Sequence, residues 1–209
     1  MVNITQRIFD TLMEERPALL PCAGDIQAVF DVLGGTYRQG CKLLLCGNGG
    51  SASDCEHIVG ELMKGFLFRR PQKAFCLAHP ELEDIASLLQ GALPAISLTG
   101  QPALQTAFAN DVDPVMIFAQ QVYGYAKPDD ALLGISTSGN ADNVIAALRV
   151  ARAMGLKTIG LTGRDGGRMK EYCDVCICVP ETETYRVQEM HLPVYHALCA
   201  MLEAEFFTE

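Results

Sequence analysis

The stretch Leu43-Leu-Leu-Cys-Gly-Asn-Gly-Gly-Ser51 decides how this chain is read. Its apolar run stops at closely spaced glycines, and an amphipathic segment, Ala52 to Phe66, follows at once. That order is a buried strand, a glycine turn and a helix N-terminus, whose free backbone N–H groups can receive an anion. The pattern recurs at Ala131-Leu-Leu-Gly-Ile-Ser-Thr-Ser-Gly-Asn140, again just before an amphipathic helix. Two such mouths on one chain are expected to form two walls of one phosphate pocket.

Strand-like runs occur at Lys42–Cys46, Pro94–Leu98, Ala131–Ile135, Lys157–Leu161 and Val175–Val179, each apolar on both faces. Helical patterns separate them at Ser51–Phe66, Pro114–Tyr125 and Asn143–Met154. Alternation of this kind predicts a three-layer α/β fold, a parallel sheet covered on both sides by helices. Ligands of such sheets sit beyond the carboxyl ends of the strands. Both glycine-serine loops fall there, as do Asn110-Asp111 and Thr162-Gly163. Ahead of the first strand, residues 1–40 read as two helices: Ile4, Ile8 and Leu12 share one face, and Asp25 can cap the second. This arm is expected to pack across a sheet edge or against another subunit. A long connection, with 72–93 as its insertion, holds Pro80, the acidic Glu81-Leu-Glu-Asp84 and the apolar Ile85 to Leu89. It reads equally as a lid or a surface excursion.

At 209 residues, 49% hydrophobic and 20% charged, the chain reads as one domain spanning 1–209. Its net charge of −9, with no basic cluster, argues against nucleic acid as a partner. Asp10, Glu14 and Glu15 spoil a signal sequence, and no apolar run approaches roughly 18 residues, so no membrane is expected and the location expected is the cytoplasm. In that reducing compartment the nine cysteines, including the close set Cys173, Cys176 and Cys178, are read as small core hydrophobes.

The loop Gly47 to Ser51 lacks the lysine of a P-loop and is not a dinucleotide fingerprint, which disfavours ATP and NAD. Ser136, Thr137 and Ser138 add three hydroxyls suited to a phosphate monoester bound without arginine. His57 and Glu61 are four apart on one helical face, a spacing that serves a zinc ion, a base, or an ordinary surface pair. The last helix, Thr184 to Phe207, carries Arg186, Gln188, Glu189, His191 and His196, with Pro193 expected to kink it. Gln188 and His196 stand about 80° apart around an ideal helix and about 12 Å along it, which permits a shared metal without demanding one. His191, nearer Gln188, is the simpler ligand candidate.

Together these motifs are similar to those of the sugar-isomerase (SIS) family, and within it to the bacterial phosphoheptose isomerases. The resemblance runs from about Lys42 to the C-terminus, outside the insertion. It lies in Cys46 to Ser51, His57 with Glu61, Asn110-Asp111, Leu132 to Asn140, Leu161-Thr-Gly with Asp165-Gly-Gly167, Arg186 to His191, and His196. It implies a five-stranded parallel sheet, a homotetramer with sites at subunit interfaces, and interconversion of sedoheptulose 7-phosphate with an aldose heptose 7-phosphate. Carried over by position, it implies zinc held by His57, Glu61, Gln188 and His196, with acid–base roles for Glu61 and His196. Substrate contacts would come from Asn48, Gly49, Gly50, Ser51, Asn110, Asp111, Ser136, Thr137, Ser138 and Gln188. Tyr185, Ala141 and Gly65 depart from the family pattern, where an aspartate, a serine and a basic residue stand. Two alternatives accompany the isomerase reading: a non-catalytic SIS protein that binds a sugar phosphate or a replication-initiator partner, and an isomerase of another sugar phosphate.

Overall fold

The structure, a computed structural model, describes residues 4–207. Five strands, β1 (Leu43–Gly47), β2 (Ala95–Ser97), β3 (Ala131–Ser136), β4 (Lys157–Thr162) and β5 (Val175–Cys178), form one parallel sheet in the order β2-β1-β3-β4-β5. All five residues of β1 and all six of β3 are buried. Their neighbours explain the unbroken apolar runs: Leu43 and Leu45 join one core cluster, while Leu44 and Cys46 join the other, across the sheet.

On the first face lie α1 (Ile4–Glu15), α2 (Ala23–Arg38), α3 (Gly50–Met63) and α9 (Thr184–Phe207). On the second lie α7 (Ile117–Tyr125) and α8 (Asp142–Ala153). Within the subunit the N-terminal arm packs on the first face: α1 on α9, and α2 on α9 and the edge strand β5. A 3-10 turn at Pro17–Cys22 joins them, and Asp25 lies inside the first turn of α2 rather than capping it. Pro17–Arg38 is by length and composition apolar enough to cross a membrane, contrary to the expectation above. Its apolar face is occupied, however: Leu19, Ile26, Val29 and Leu33 are buried in the same cluster as Leu43.

The insertion folds into α4 (Lys73–Ala78), a 3-10 turn at Pro80–Leu82 and α5 (Glu83–Ala86). An antiparallel bridge between Pro71 and Gln90 closes its base. Of α4 and α5 only Ala86 is buried, and Leu77 and Leu88 are exposed. Two helices escaped the sequence reading, α4 and α6 (Pro102–Asp111): neither buries a residue, so neither has an apolar stripe to betray it. Helix α9 continues through Pro193 as one helix of 24 residues.

Candidate active site

The two glycine-serine loops meet. Asn48, Gly49, Gly50 and Ser51 line a cavity of about 380 Å³ together with Ser136, Thr137 and Ser138, with Ala141, Thr184 and Gln188 completing it. Both helices that begin there, α3 and α8, start without a side-chain cap from the N-cap residue, although the amides of Ser51 and Ala52 donate to the Asn48 and Gly49 carbonyls and that of Val144 to Asn143 Oδ1. Asn48 is held by paired amide hydrogen bonds of 2.9 Å with Asn143 on α8, which locks one loop to the other. Gly139 and Gly167 explain the glycines that follow. Both have positive φ, and a Cβ at Gly139 would stand 2.1 Å from the carbonyl oxygen of Gly166. The Ser136–Gly139 turn therefore rests directly on the Asp165-Gly-Gly167 loop.

Two turns along α3 from the cavity, His57 gathers the acid–base groups. Its Nε2 lies 3.2 Å from Glu61 Oε1 and 3.4 Å from His196 Nε2 on α9. Its Nδ1 lies 3.1 Å from the Tyr195 hydroxyl, which donates to Asp54 Oδ1 at 3.2 Å. With Tyr195 donating to Asp54, its oxygen accepts from His57 Nδ1–H, and the network assigns the tautomer. His57 Nε2 is then a bare lone pair facing a carboxylate oxygen and a second imidazole nitrogen. Burial, followed by the nearby His57, lowers the His196 pKa, against an opposing pull from Glu61. Burial likewise raises that of Asp54, opposed by Tyr195 and His57. Glu61 Oε2 is buried without a hydrogen bond, 3.9 Å from Lys64 Nζ.

These donors fit a divalent cation in kind. Atoms bound 2.0–2.1 Å from a tetrahedral zinc stand roughly 3.3 Å apart, close to both His57 spacings. Among the described residues, though, no group of three or more His, Cys, Asp or Glu closes around a single metal position. His57, Glu61 and His196 stand as near pairs that have not closed into one ligand set, and Gln188 lines the cavity.

Other sequence candidates fall elsewhere. His191 is fully buried against the sheet, with neither ring nitrogen in a well-formed hydrogen bond, and burial lowers its pKa to about 4 despite the nearby Thr162 backbone. It is a core residue, not a ligand. Asn110 and Asp111 end α6, bond to each other at 2.8 Å, and do not line the cavity. All nine cysteines are free, and five of them, including Cys46 and Cys199, are buried. Of the family departures, Tyr185 is exposed and Ala141 lines the cavity. Gly65 has no room for a side chain: its N–H donates to Gln90 Oε1 at 2.7 Å, and a Cβ would meet the Phe68 carbonyl at 2.5 Å. The Phe68 carbonyl and the Gln90 side chain thus leave no space for a basic side chain at this position. Asn143, Tyr195 and Asp54 were missed. Asp54 alone left a trace, three residues before His57 on the same helical face.

A parallel sheet whose two serine-bearing loops close on one pocket, beside a His–Glu–His cluster, is the architecture of a sugar-phosphate isomerase of the SIS class. The SIS domain profile matches residues 78–163. Over 190 residues the chain is 38% identical to the phosphoheptose isomerase of Akkermansia muciniphila, covering 91% of this chain and 90% of that protein. It is 41% identical to that of Roseiflexus sp. over 88% of this chain and 83% of that one. The structure of phosphoheptose isomerase GmhA from Neisseria gonorrhoeae superposes with a TM-score of 0.73 at 29% identity, covering 95% of this chain and 97% of that one. The chain belongs to the phosphoheptose isomerase family.

Proposed function

We propose that the enzyme interconverts sedoheptulose 7-phosphate and an aldose heptose 7-phosphate through an enediol. One observation carries this reading: the cavity between the serine loops and the His57–Glu61–His196 cluster are joined by the same two helices, α3 and α9. Ser51 and His57 are six residues apart on α3, roughly 9 Å along its axis. That separation suits a sugar stretched between a terminal phosphate and a carbonyl at its other end.

The phosphate would take the amides and hydroxyls of Gly49 to Ser51 and Ser136 to Ser138. Glu61, whose Oε2 has no hydrogen bond to satisfy it, removes the proton from one carbon, exchanges it with solvent, and delivers a proton to the adjacent carbon. His196, kept neutral near pH 7 by its lowered pKa, hands a proton to one sugar oxygen and takes one from the other. Each role is worth roughly 10²–10⁴ in rate. His57, Glu61, Gln188 and His196 would hold a zinc ion, and that ion when bound supplies polarisation of the sugar oxygens. The reading includes a cytoplasmic homotetramer.

The test follows sedoheptulose 7-phosphate and a panel of pentose and hexose phosphates by NMR in deuterated water, with metal analysis of the purified protein. Heptose turnover with deuterium at the carbon next to the carbonyl is expected. Turnover of another sugar phosphate alone would refute the substrate, and turnover without exchange or oxygen-linked proton transfer would refute the roles given to Glu61 and His196.

A further inference from the structure

The side chains of Arg70 and Glu203 are wholly removed from solvent and pair at 2.8 Å. A buried ion pair is weak evidence for stability, because desolvation offsets most of the attraction. What this one touches gives a better account of it. Glu203 accepts from the backbone N–H groups of Phe66 at 2.7 Å, Leu67 at 2.6 Å and Phe68 at 3.2 Å. Arg70 donates through Nη1 to the carbonyl of Leu62 at 2.7 Å and through Nη2 to that of Glu61 at 3.1 Å. Those carbonyls belong to the last turn of α3, where an α-helix has no partners of its own to offer.

Both acid–base groups lead to this pair. Glu61 hangs from a main chain whose carbonyl Arg70 fixes. His196 lies seven residues before Glu203 on α9, two turns along the same face. Its ring packs against that of Phe66, 5.7 Å between centroids, and Phe66 is the residue whose N–H Glu203 holds. Arginine is needed here because its planar fork reaches a carboxylate and two carbonyls together, which a lysine ammonium on a flexible stem does not.

We propose that Arg70 and Glu203 are positioning residues that hold Glu61 in register with His196. The proposal rests on the isomerase reading of the site. Its test compares kcat, KM for sedoheptulose 7-phosphate and thermal midpoint in Arg70→Lys and Glu203→Gln. Leu19→Ala, under α2 in the core, serves as a control destabilised away from the site. Because a misplacement of about 1 Å can cost on the order of 10² in rate, kcat should fall by that factor while KM stays within about threefold. The control should keep its kcat at a similar loss of thermal midpoint.

A folded Arg70→Lys with the parent's kcat overturns the proposal, as does a kcat loss that Leu19→Ala reproduces. Where Arg70→Lys does not fold, Glu203→Gln is judged by the same comparison. Failure of both to fold makes the pair a folding element and also overturns it. Absence of turnover by the unaltered enzyme would instead refute the substrate reading, and this proposal with it.

Discussion

Gly50→Ala separates the chemistry of the site from its architecture. A Cβ at Gly50 would stand 2.5 Å from Gln188 Nε2 and 3.2 Å from its Cδ, with no backbone atom among its close neighbours. Ordinary contact begins near 3.4 Å, so the Gln188 amide has to withdraw by about 1 Å. The obstructing group is the end of a flexible side chain, and Gly50 opens α3, where alanine is the better helix former by up to about 1 kcal/mol. Stability should therefore hold or rise slightly. The displaced amide belongs to the proposed ligand and substrate set, and a shift of that size is worth on the order of 10² in rate. The expected result is a loss of kcat/KM approaching 10²-fold on sedoheptulose 7-phosphate with an unchanged or higher thermal midpoint. Full activity would remove Gln188 from the site, and a collapse in thermal midpoint would show that its side chain cannot yield.

Glu61→Gln should lower kcat by roughly 10²–10⁴ while calorimetry still detects sugar-phosphate binding; a variant at full rate would exclude Glu61 as the base. Asn143→Ala frees Asn48 from its paired amide bonds, and at about 1 kcal/mol for each of the two neutral hydrogen bonds KM should rise by up to roughly thirtyfold with little change in kcat. Gly139→Ala sets a side chain at φ +66 against the Gly166 carbonyl and should cost more than about 1 kcal/mol, read as a fall of several degrees in thermal midpoint. His191 titrates at about 4 in the fold against 6.5 for a free imidazole. Its unprotonated form is favoured in the fold, so its contribution is complete above pH 6.5. It disappears as the pH drops from there to about 4, a loss of about 3 kcal/mol. Denaturant titrations of His191→Phe should lack that part of the acid sensitivity; an identical pH profile would refute it.

The sheet was legible because β1 and β3 are covered on both faces, which writes each of them as an unbroken apolar run ending in a loop of unmistakable composition. Those loops also gave away the cavity that they line. Helix α6 was not legible, since a helix that buries nothing leaves no periodic trace. The approach of His57 to His196 spans 139 positions and depends on how α3 lies against α9, so only the family resemblance could bring the two together. Tandem arginines at Arg69-Arg70, and Glu203 in a late helix, look like ordinary surface charge, and nothing local separates the buried Arg70 from its neighbour. His191 misled for the converse reason: a histidine near other candidate ligands reads as one of them until its burial is known.

The seating of Gly139 on the Gly166–Gly167 backbone has a consequence for affinity. One wall of the anion cradle is stiffened by main chain pressed on main chain, not by side chains that must be recruited when a guest arrives. The ordering entropy of that wall is spent as the protein folds, so little of it is charged against binding. Capture of a doubly negative tail by a protein of net charge −9, as proposed, would then rest on rigidity rather than on attraction at a distance.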